Sequence, residues 1–143
     1  MSRAIFGSLL LLSGAAVYAA ETSVAALHAH MDALNTTETA AVAASQHYPF
    51  QHLWPDGQWW SIPSAEEMAP LDLSGLLGSE WRRSVIEDTT LIMAGELAHS
   101  YRVIFSRRRA DDSVMGRFEA IWVATLKDGA WRVQFRHGAI RLE

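Results

Sequence analysis

Four long extended runs in the second half of the chain limit the possible folds more than any other feature. They are rich in Val, Ile, Thr, Trp, Phe and Tyr and cover residues 81–93, 98–107, 116–127 and 130–142. Gly95, a polar loop and the Asp128-Gly129 dipeptide separate them, which predicts an antiparallel meander. Because strands of this length must curl and bury one face, a second layer has to cover that face.

Helical segments before these runs can supply that layer. Thr22 and Ser23 can cap a first helix whose apolar positions recur every three or four residues, at Val24, Leu27, Met31 and Leu34. Residues 35–38, beginning with Asn35, are predicted to cap a second short helix over residues 39–45, and a capping box at residues 64–67 predicts a third. Residues 47–62 predict two short strands around a Pro-Asp-Gly turn. The predicted fold class is therefore α+β.

The Asp128-Gly129 turn also predicts how the last two strands pair, because a two-residue hairpin fixes the register. Uninterrupted counting gives the pairs Lys127 with Ala130, Leu126 with Trp131, Ala124 with Val133, Trp122 with Phe135 and Ala120 with His137. Apart from Lys127 and Ala130, the paired side chains share one face of the sheet, which is apolar except for His137. We expect this face to be the inner one, turned toward the core. The outer face carries Arg132, Gln134 and Arg136 beside apolar Ile121 and Val123, so we expect a homodimer through this face.

The first twenty residues have the pattern of a secretory signal peptide. Arg3 precedes an apolar run over residues 5–17, and the small side chains of Val17 and Ala19 suit a cleavage site. We therefore expect residues 1–20 to be a signal peptide and residues 21–143 to form the domain, with no stable membrane span after cleavage. The expected location is periplasmic or secreted.

Composition excludes several classes of protein. The 143 residues include no Cys, which excludes zinc ribbons, iron–sulfur clusters and disulfide scaffolds. A formal net charge of −4 makes nucleic acid an unexpected partner. The six His residues lack the spacing of known metal motifs, and no glycine-rich nucleotide motif occurs, so no metal or cofactor is expected.

Several sequence motifs occur along these predicted helices and strands. They are Met31-Asp32-Ala33-Leu34-Asn35, His47-Tyr48-Pro49-Phe50, Trp81, Lys127-Asp128-Gly129-Ala130-Trp131-Arg132-Val133 and Arg136-His137. Over residues 22–142 the chain resembles the NTF2-like superfamily, within its SnoaL-like or DUF4440-like branches. The resemblance implies a cone-shaped half-barrel with N-terminal helices packed on a curved antiparallel sheet and a pocket between them. Members include isomerases, dehydratases and non-catalytic binding domains, so the resemblance does not fix the chemistry.

His137 is the candidate acid–base residue, because the predicted register places its ring on the apolar inner face. A core histidine held by a backbone carbonyl is the structural alternative. Asp88 shares its strand parity with Ile86 and Thr90, so it is the better candidate for an inward-facing carboxylate, with a solvated Asp on the strand surface as the alternative. Either Asp88 or Tyr101 could assist His137.

Aromatic residues point instead to a site for a flat apolar ligand. The predicted lining residues are Trp60, Trp81, Trp122 and Phe135, together with His47. Trp59 and Trp60 are adjacent on a short strand, so their side chains point in opposite directions and one of them should cover the pocket.

Two functions follow from these residues. The first is an exported domain that binds a small apolar or aromatic molecule, with no catalysis required. The second is a cofactor-free isomerase, dehydratase or lyase in which His137 moves a proton with Asp88 or Tyr101. An inward-facing acid–base pair would distinguish the second from the first.

Overall fold

The computed structural model describes residues 20–73, 75 and 77–143. The helices are α1 (Ser23–Thr36), α2 (Thr39–Ala44) and α3 (Ala65–Met68). The strands are β1 (Gln46–Leu53), β2 (Trp59–Ile62), β3 (Arg83–Ala94), β4 (Ala98–Arg108), β5 (Val114–Lys127) and β6 (Ala130–Arg141). The predicted α+β class is confirmed. The predicted signal peptide lies, except for Ala20, outside the described residues.

The strands form one curved sheet in the order β2-β1-β6-β5-β4-β3. The predicted antiparallel meander is confirmed for β3 to β6. The β1–β2 hairpin joins the other side of β6, where β1 runs parallel to β6. The last strand in sequence therefore lies inside the sheet, and the helices pack on one face of it.

Polar side chains fix the helices in place. Thr22 caps α1 as predicted, since its hydroxyl accepts a hydrogen bond from the Ala25 N–H at 3.1 Å. Asn35 does not begin α2, because α1 continues to Thr36. Instead, the Asn35 side chain exchanges two hydrogen bonds of 2.9 and 2.8 Å with the Ser84 backbone, which ties α1 to β3.

The β5–β6 register matches the prediction only as far as Ala124 opposite Val133. A β-bulge then inserts Gln134 as an extra residue, so that Trp122 pairs with Arg136 and Ile121 with His137. One inserted residue reverses the direction of every later side chain until the next irregularity. The predicted pairs of Trp122 with Phe135 and of Ala120 with His137 are therefore wrong.

A second bulge overturns the prediction for Asp88. The β3–β4 register shifts between Ile86 and Asp88, which makes Glu87 the extra residue and places Asp88 opposite Ile104. Asp88 is exposed, and its carboxylate accepts a hydrogen bond from the Thr90 hydroxyl at 3.2 Å. The carboxylate predicted to face inward lies on the outer face of the sheet.

The core lies between the helices and the sheet face that they cover, which we call the inner face. Its most buried side chains include Leu27 and Val42 from the helices and Val103 and Val133 from the strands. Within the described ranges, no helix is long and apolar enough to cross a membrane.

Candidate functional site

A cavity of about 320 Å³ lies between the helices and the inner face. This volume is at the lower end of the range for pockets that bind small organic molecules, about 300–1,000 Å³. Its aliphatic lining consists largely of Met31, Leu34, Val42, Ile62, Met68, Leu71, Leu73 and Leu77. Its aromatic lining consists of Phe50, Trp54, Trp60, Trp81, Phe105, Phe118 and Trp122. The cavity is therefore suited to a flat apolar molecule.

Three of the predicted ligand-binding residues line this cavity, namely Trp60, Trp81 and Trp122. Trp122 is almost completely buried in the sheet wall. Trp81 is also buried, and its indole N–H donates to the Ser84 hydroxyl at 3.0 Å. Trp60 is 39% exposed and meets Trp54 edge to face, with ring centres 5.2 Å apart. The adjacent Trp59 is absent from the described lining, so the two side chains point apart as predicted.

Phe135 and His47 do not line the cavity, contrary to the prediction. The bulge at Gln134 turns Phe135 to the outer face, where its ring centre lies 5.9 Å from that of Trp59. In β1, Gln46 lines the cavity and the following His47 points the other way. His47 Nδ1 lies 2.9 Å from the Thr125 hydroxyl, and burial together with Arg132 lowers the pKa of the imidazole.

None of the predicted catalytic residues lines the described cavity. His137 and Asp88 lie on the outer face for the reason given above. Tyr101 is buried in the core, with its hydroxyl 2.6 Å from the Ser23 hydroxyl, which is also 2.7 Å from His99 Nδ1. The structure therefore does not bring the three residues together around the cavity.

The bulge that removes His137 from the inner face places Arg136 there. The guanidinium carbon of Arg136 lies 5.5 Å from the ring centre of Phe50 and 5.7 Å from that of Trp122. Its Nε is buried and has no hydrogen-bond partner among the described residues. Burial lowers the pKa of Arg136 to about 10, so the side chain is still charged at neutral pH.

Arg107 is a second cationic residue of the cavity lining. Its guanidinium carbon lies 4.2 Å from the ring centre of Phe118, and its Nε is buried without a partner. Burial, followed by the positive charge of Arg141, lowers the pKa of Arg107. In the described part of the chain, no Asp or Glu lines the cavity, and the ion pairs found there involve neither Arg107 nor Arg136.

His52 is a neutral neighbour of Arg136 in the adjacent strand β1. Its Nε2 lies 2.8 Å from the Gly138 carbonyl oxygen, which can only accept, so Nε2 carries the proton. Its ring stacks on Trp54 at 4.1 Å. Burial, and then the charge of Arg136, lowers the pKa of His52 to about 4.

Gly138 allows this close packing at the floor of the cavity. Its φ of 119° is unfavourable for residues with a side chain. An added Cβ would lie 3.1 Å from both the Glu119 carbonyl oxygen and the Ala120 Cβ. A glycine here therefore lets β6 approach β5 closely while its carbonyl orients His52.

His30 is a buried polar residue behind the aromatic wall. Its Nδ1 lies 2.7 Å from the Ser45 hydroxyl, which itself donates to the Val42 carbonyl, so Nδ1 is the donor. Its Nε2 is then an acceptor without a partner in the described structure, and its ring packs edge-on against Trp122 at 5.3 Å. Burial lowers the pKa of His30 well below its usual value, so the ring is neutral.

Sequence reasoning missed Arg136 and Arg107 as cavity residues. Strict alternation places Arg136 on the outer face, and the pattern around Arg107 predicts only the end of an extended run. In the described ranges, no group of three or more potential ligands is arranged to hold a metal ion.

Comparison with known proteins gives matches among solved structures only. No protein-family model matches the chain, and the search of curated proteins finds no match. An NTF2-like protein from Cytophaga hutchinsonii is 17% identical, with a TM-score of 0.61, over 82% of this chain and 94% of that protein. A ketosteroid isomerase-like protein from Erwinia carotovora atroseptica is 16% identical, with a TM-score of 0.58, over 93% and 99% of the two chains.

A third similar structure is an NTF2-like protein with a cystatin-like fold from Novosphingobium aromaticivorans. It is 10% identical, with a TM-score of 0.63, over 82% of this chain and 78% of that one. Together these likenesses show that the chain has the NTF2-like fold, as predicted. The SnoaL-like or DUF4440-like branch stays a prediction.

Proposed function

We propose that this NTF2-like fold serves to bind a small apolar or aromatic molecule in its cavity. The observation that carries the proposal is the lining, in which seven aromatic side chains surround about 320 Å³. Burying an aromatic ligand against such a wall releases water from both surfaces, and offset or edge-on ring contacts add to the binding energy.

The alternative is a cofactor-free isomerase, dehydratase or lyase of the SnoaL or ketosteroid isomerase type. Such chemistry needs an acid and a base beside the substrate. Among the described residues, His137 and Asp88 lie on the outer face, and Tyr101 bonds to Ser23 inside the core. The positions of these three groups favour binding over proton transfer.

A titration with the neutral aromatic amide 2-naphthamide tests the proposed function. We expect saturable quenching of tryptophan fluorescence, because several indoles line the cavity. Trp60→Ser should weaken binding about tenfold, whereas Trp59→Ser on the opposite face is the matched control and should leave it unchanged. Absence of binding to the wild type, or equal weakening by both variants, would refute the proposal.

Native mass spectrometry of the protein purified from its own host would then identify the natural ligand. A retained mass that disappears in Trp60→Ser but not in Trp59→Ser is the expected result. A mass retained equally by both variants would place the binding site elsewhere.

Export to the periplasm or medium is part of the proposal and rests on residues 1–20 alone. These residues fused to a reporter enzyme should direct its export, and the protein should be recovered without them. A full-length chain retained in the cytoplasm would contradict this.

The homodimer through the outer face also stays a prediction. Ile121 and Val123 are half-buried there, and Ile121 pairs with Arg102 and His137 on the neighbouring strands. Ile121→Glu should produce monomers in light scattering, because a new carboxylate would have to be buried in the interface. A wild-type protein that is already monomeric would show that the prediction is wrong.

A further inference from the structure

We propose that the natural ligand of this cavity is an organic carboxylate, and that Arg136 binds its carboxylate group. This inference rests on the proposed function, because it specifies the class of molecule that the same cavity binds. The apolar part of the ligand would lie against Trp60, Trp81 and Trp122, and its charged end would meet the guanidinium.

The first support is the uncompensated charge of Arg136. Its Nε has no hydrogen-bond partner in the described structure, and its only charge-related contacts there are with the faces of Phe50 and Trp122. Arg136 is half-buried, and a guanidinium that has lost part of its water without gaining a carboxylate is unfavourable for folding. A bound carboxylate would supply the missing negative charge and accept two parallel hydrogen bonds.

The second support is the kind of polar group that faces the cavity. Four of the lining residues have a buried N–H nitrogen without a partner in the described ranges, and these are Gln46, Trp54, Arg107 and Arg136. None of these four nitrogen atoms can accept a hydrogen bond. The matching ligand group must therefore be rich in acceptors, as a carboxylate is.

The positions of the charges favour a single negative charge on the ligand. Arg136 pairs with Trp122 and Arg107 with Gly116, so their backbones are about 20 Å apart along β5. His52, the closest titratable group on the next strand, is neutral at neutral pH and adds no charge. A carboxylate neutralises Arg136, whereas a phosphate monoester would leave excess negative charge buried.

The test compares 2-naphthoate with 2-naphthamide, which have the same ring system and differ mainly in charge. In isothermal titration calorimetry at pH 7.5, we expect the wild type to bind 2-naphthoate at least about tenfold more tightly. Arg136→Met should reduce this preference to about threefold or less, because the variant can no longer distinguish the carboxylate from the amide by charge. Arg107→Met should reduce the preference for 2-naphthoate less than Arg136→Met does.

Arg132→Met is the matched control. Arg132 also has a buried Nε without a partner in the described chain, but it is not part of the cavity lining there. Its removal should leave the preference for 2-naphthoate intact. A loss of preference in this variant would mean that the net charge of the protein, rather than Arg136, causes it.

Each outcome separates this inference from the proposed function. If the wild type binds neither compound, the proposed function is wrong. If it binds both equally, or if Arg136→Met keeps the preference, the cavity binds ligands but the carboxylate assignment is overturned. Tighter binding of 1-naphthyl phosphate than of 2-naphthoate would overturn the choice of a monoanion.

A second measurement needs no variant, so it does not depend on whether Arg136→Met folds. Arg136 is one cause of the low pKa of His52. A carboxylate beside Arg136 would cancel that effect, so 2-naphthoate should raise the pKa of His52 in an NMR titration, whereas 2-naphthamide should raise it less. Equal pKa values with the two compounds at saturation would count against the assignment.

Discussion

Four arginines of the sheet, two on each face, have contrasting electrostatic surroundings. On the outer face, Arg102 pairs with Glu119 and Arg117 with Glu87, with the latter pair at 2.8 Å. On the inner face, Arg107 and Arg136 contact aromatic rings and make no ion pair in the described structure. Arg102 and Arg117 are thus compensated by carboxylates of neighbouring strands, whereas Arg107 and Arg136 are left uncompensated in the described part of the chain.

This difference predicts that the arginines of the two faces contribute differently to stability. Exposed ion pairs contribute little to stability, and their loss costs little. A half-buried guanidinium without a counter-charge destabilises the fold, and a carboxylate ligand of the proposed kind would compensate it. The predictions below test the two faces against each other.

The largest expected effect on stability is at the aromatic wall of the inner face. Trp122→Ala should lower the free energy of unfolding by about 3–5 kcal/mol, because it enlarges a cavity that the buried indole bounds. Trp59→Ala, at a site 51% exposed, should lower it by less than about 1 kcal/mol. Urea denaturation of both variants measures the two values, and equal losses would mean that the faces do not differ in packing.

The next effect is the pH dependence that His52 contributes. Its pKa is about 4 in the folded protein and near 6.5 when unfolded. Above pH 6.5 the ring is neutral in both the folded and the unfolded state. As the pH is lowered from 6.5 to 4, only the unfolded chain takes up the proton, so the free energy of unfolding decreases. The loss should reach up to about 3 kcal/mol and then level off below pH 4.

His52→Gln isolates this contribution, since it keeps a donor for the Gly138 carbonyl and removes the titration. The difference between the wild-type and variant unfolding free energies should therefore change between pH 7 and pH 4. A constant difference would show that His52 titrates normally in the folded protein.

A smaller effect of opposite sign distinguishes the two kinds of arginine. Arg136→Met should raise the free energy of unfolding by about 1 kcal/mol, because an uncompensated, half-buried charge is replaced by an apolar chain. Arg102→Met should lower it by about 0–1 kcal/mol, because it leaves Glu119 without its partner. If both variants destabilise the protein, Arg136 is a structural residue.

The smallest effect is the coupling between Arg117 and Glu87. Their side chains are 43% and 26% exposed, so a double-mutant cycle should give about 0.2–1 kcal/mol, decreasing as salt is added. A coupling free energy that is larger than this, or that does not decrease when salt is added, would show that the outer face is shielded from solvent. The predicted dimer would shield it in this way.

The sequence was sufficient for the class of fold and for the pairing close to the hairpin. The Asp128-Gly129 turn determined the register through Ala124 and Val133, because a two-residue loop allows few alternatives. The cavity position, between helices and sheet, followed from the resemblance to the NTF2-like superfamily. Trp60, Trp81 and Trp122 were therefore placed correctly in the lining.

The two bulges could not be predicted from local pattern. Arg132, Gln134 and Arg136 alternate with apolar residues as in a regular strand, so nothing in this pattern marks the extra residue. In the folded chain the Gln134 side chain bonds to the Thr125 hydroxyl at 2.8 Å and to the Pro49 carbonyl at 3.1 Å. These partners lie on other strands, so the bulge depends on tertiary contacts that a single-strand pattern does not contain.

The place of β6 in the sheet has a consequence for how the chain folds. β6 is the last strand in sequence, yet it separates β1 on one side from β5 on the other. A nascent chain that lacks β6 holds a β1–β2 hairpin and a β3–β5 meander with no backbone pairing between them in the described sheet. The closing contacts join residues far apart in sequence, so folding should be completed only after residues 130–141 have been synthesised.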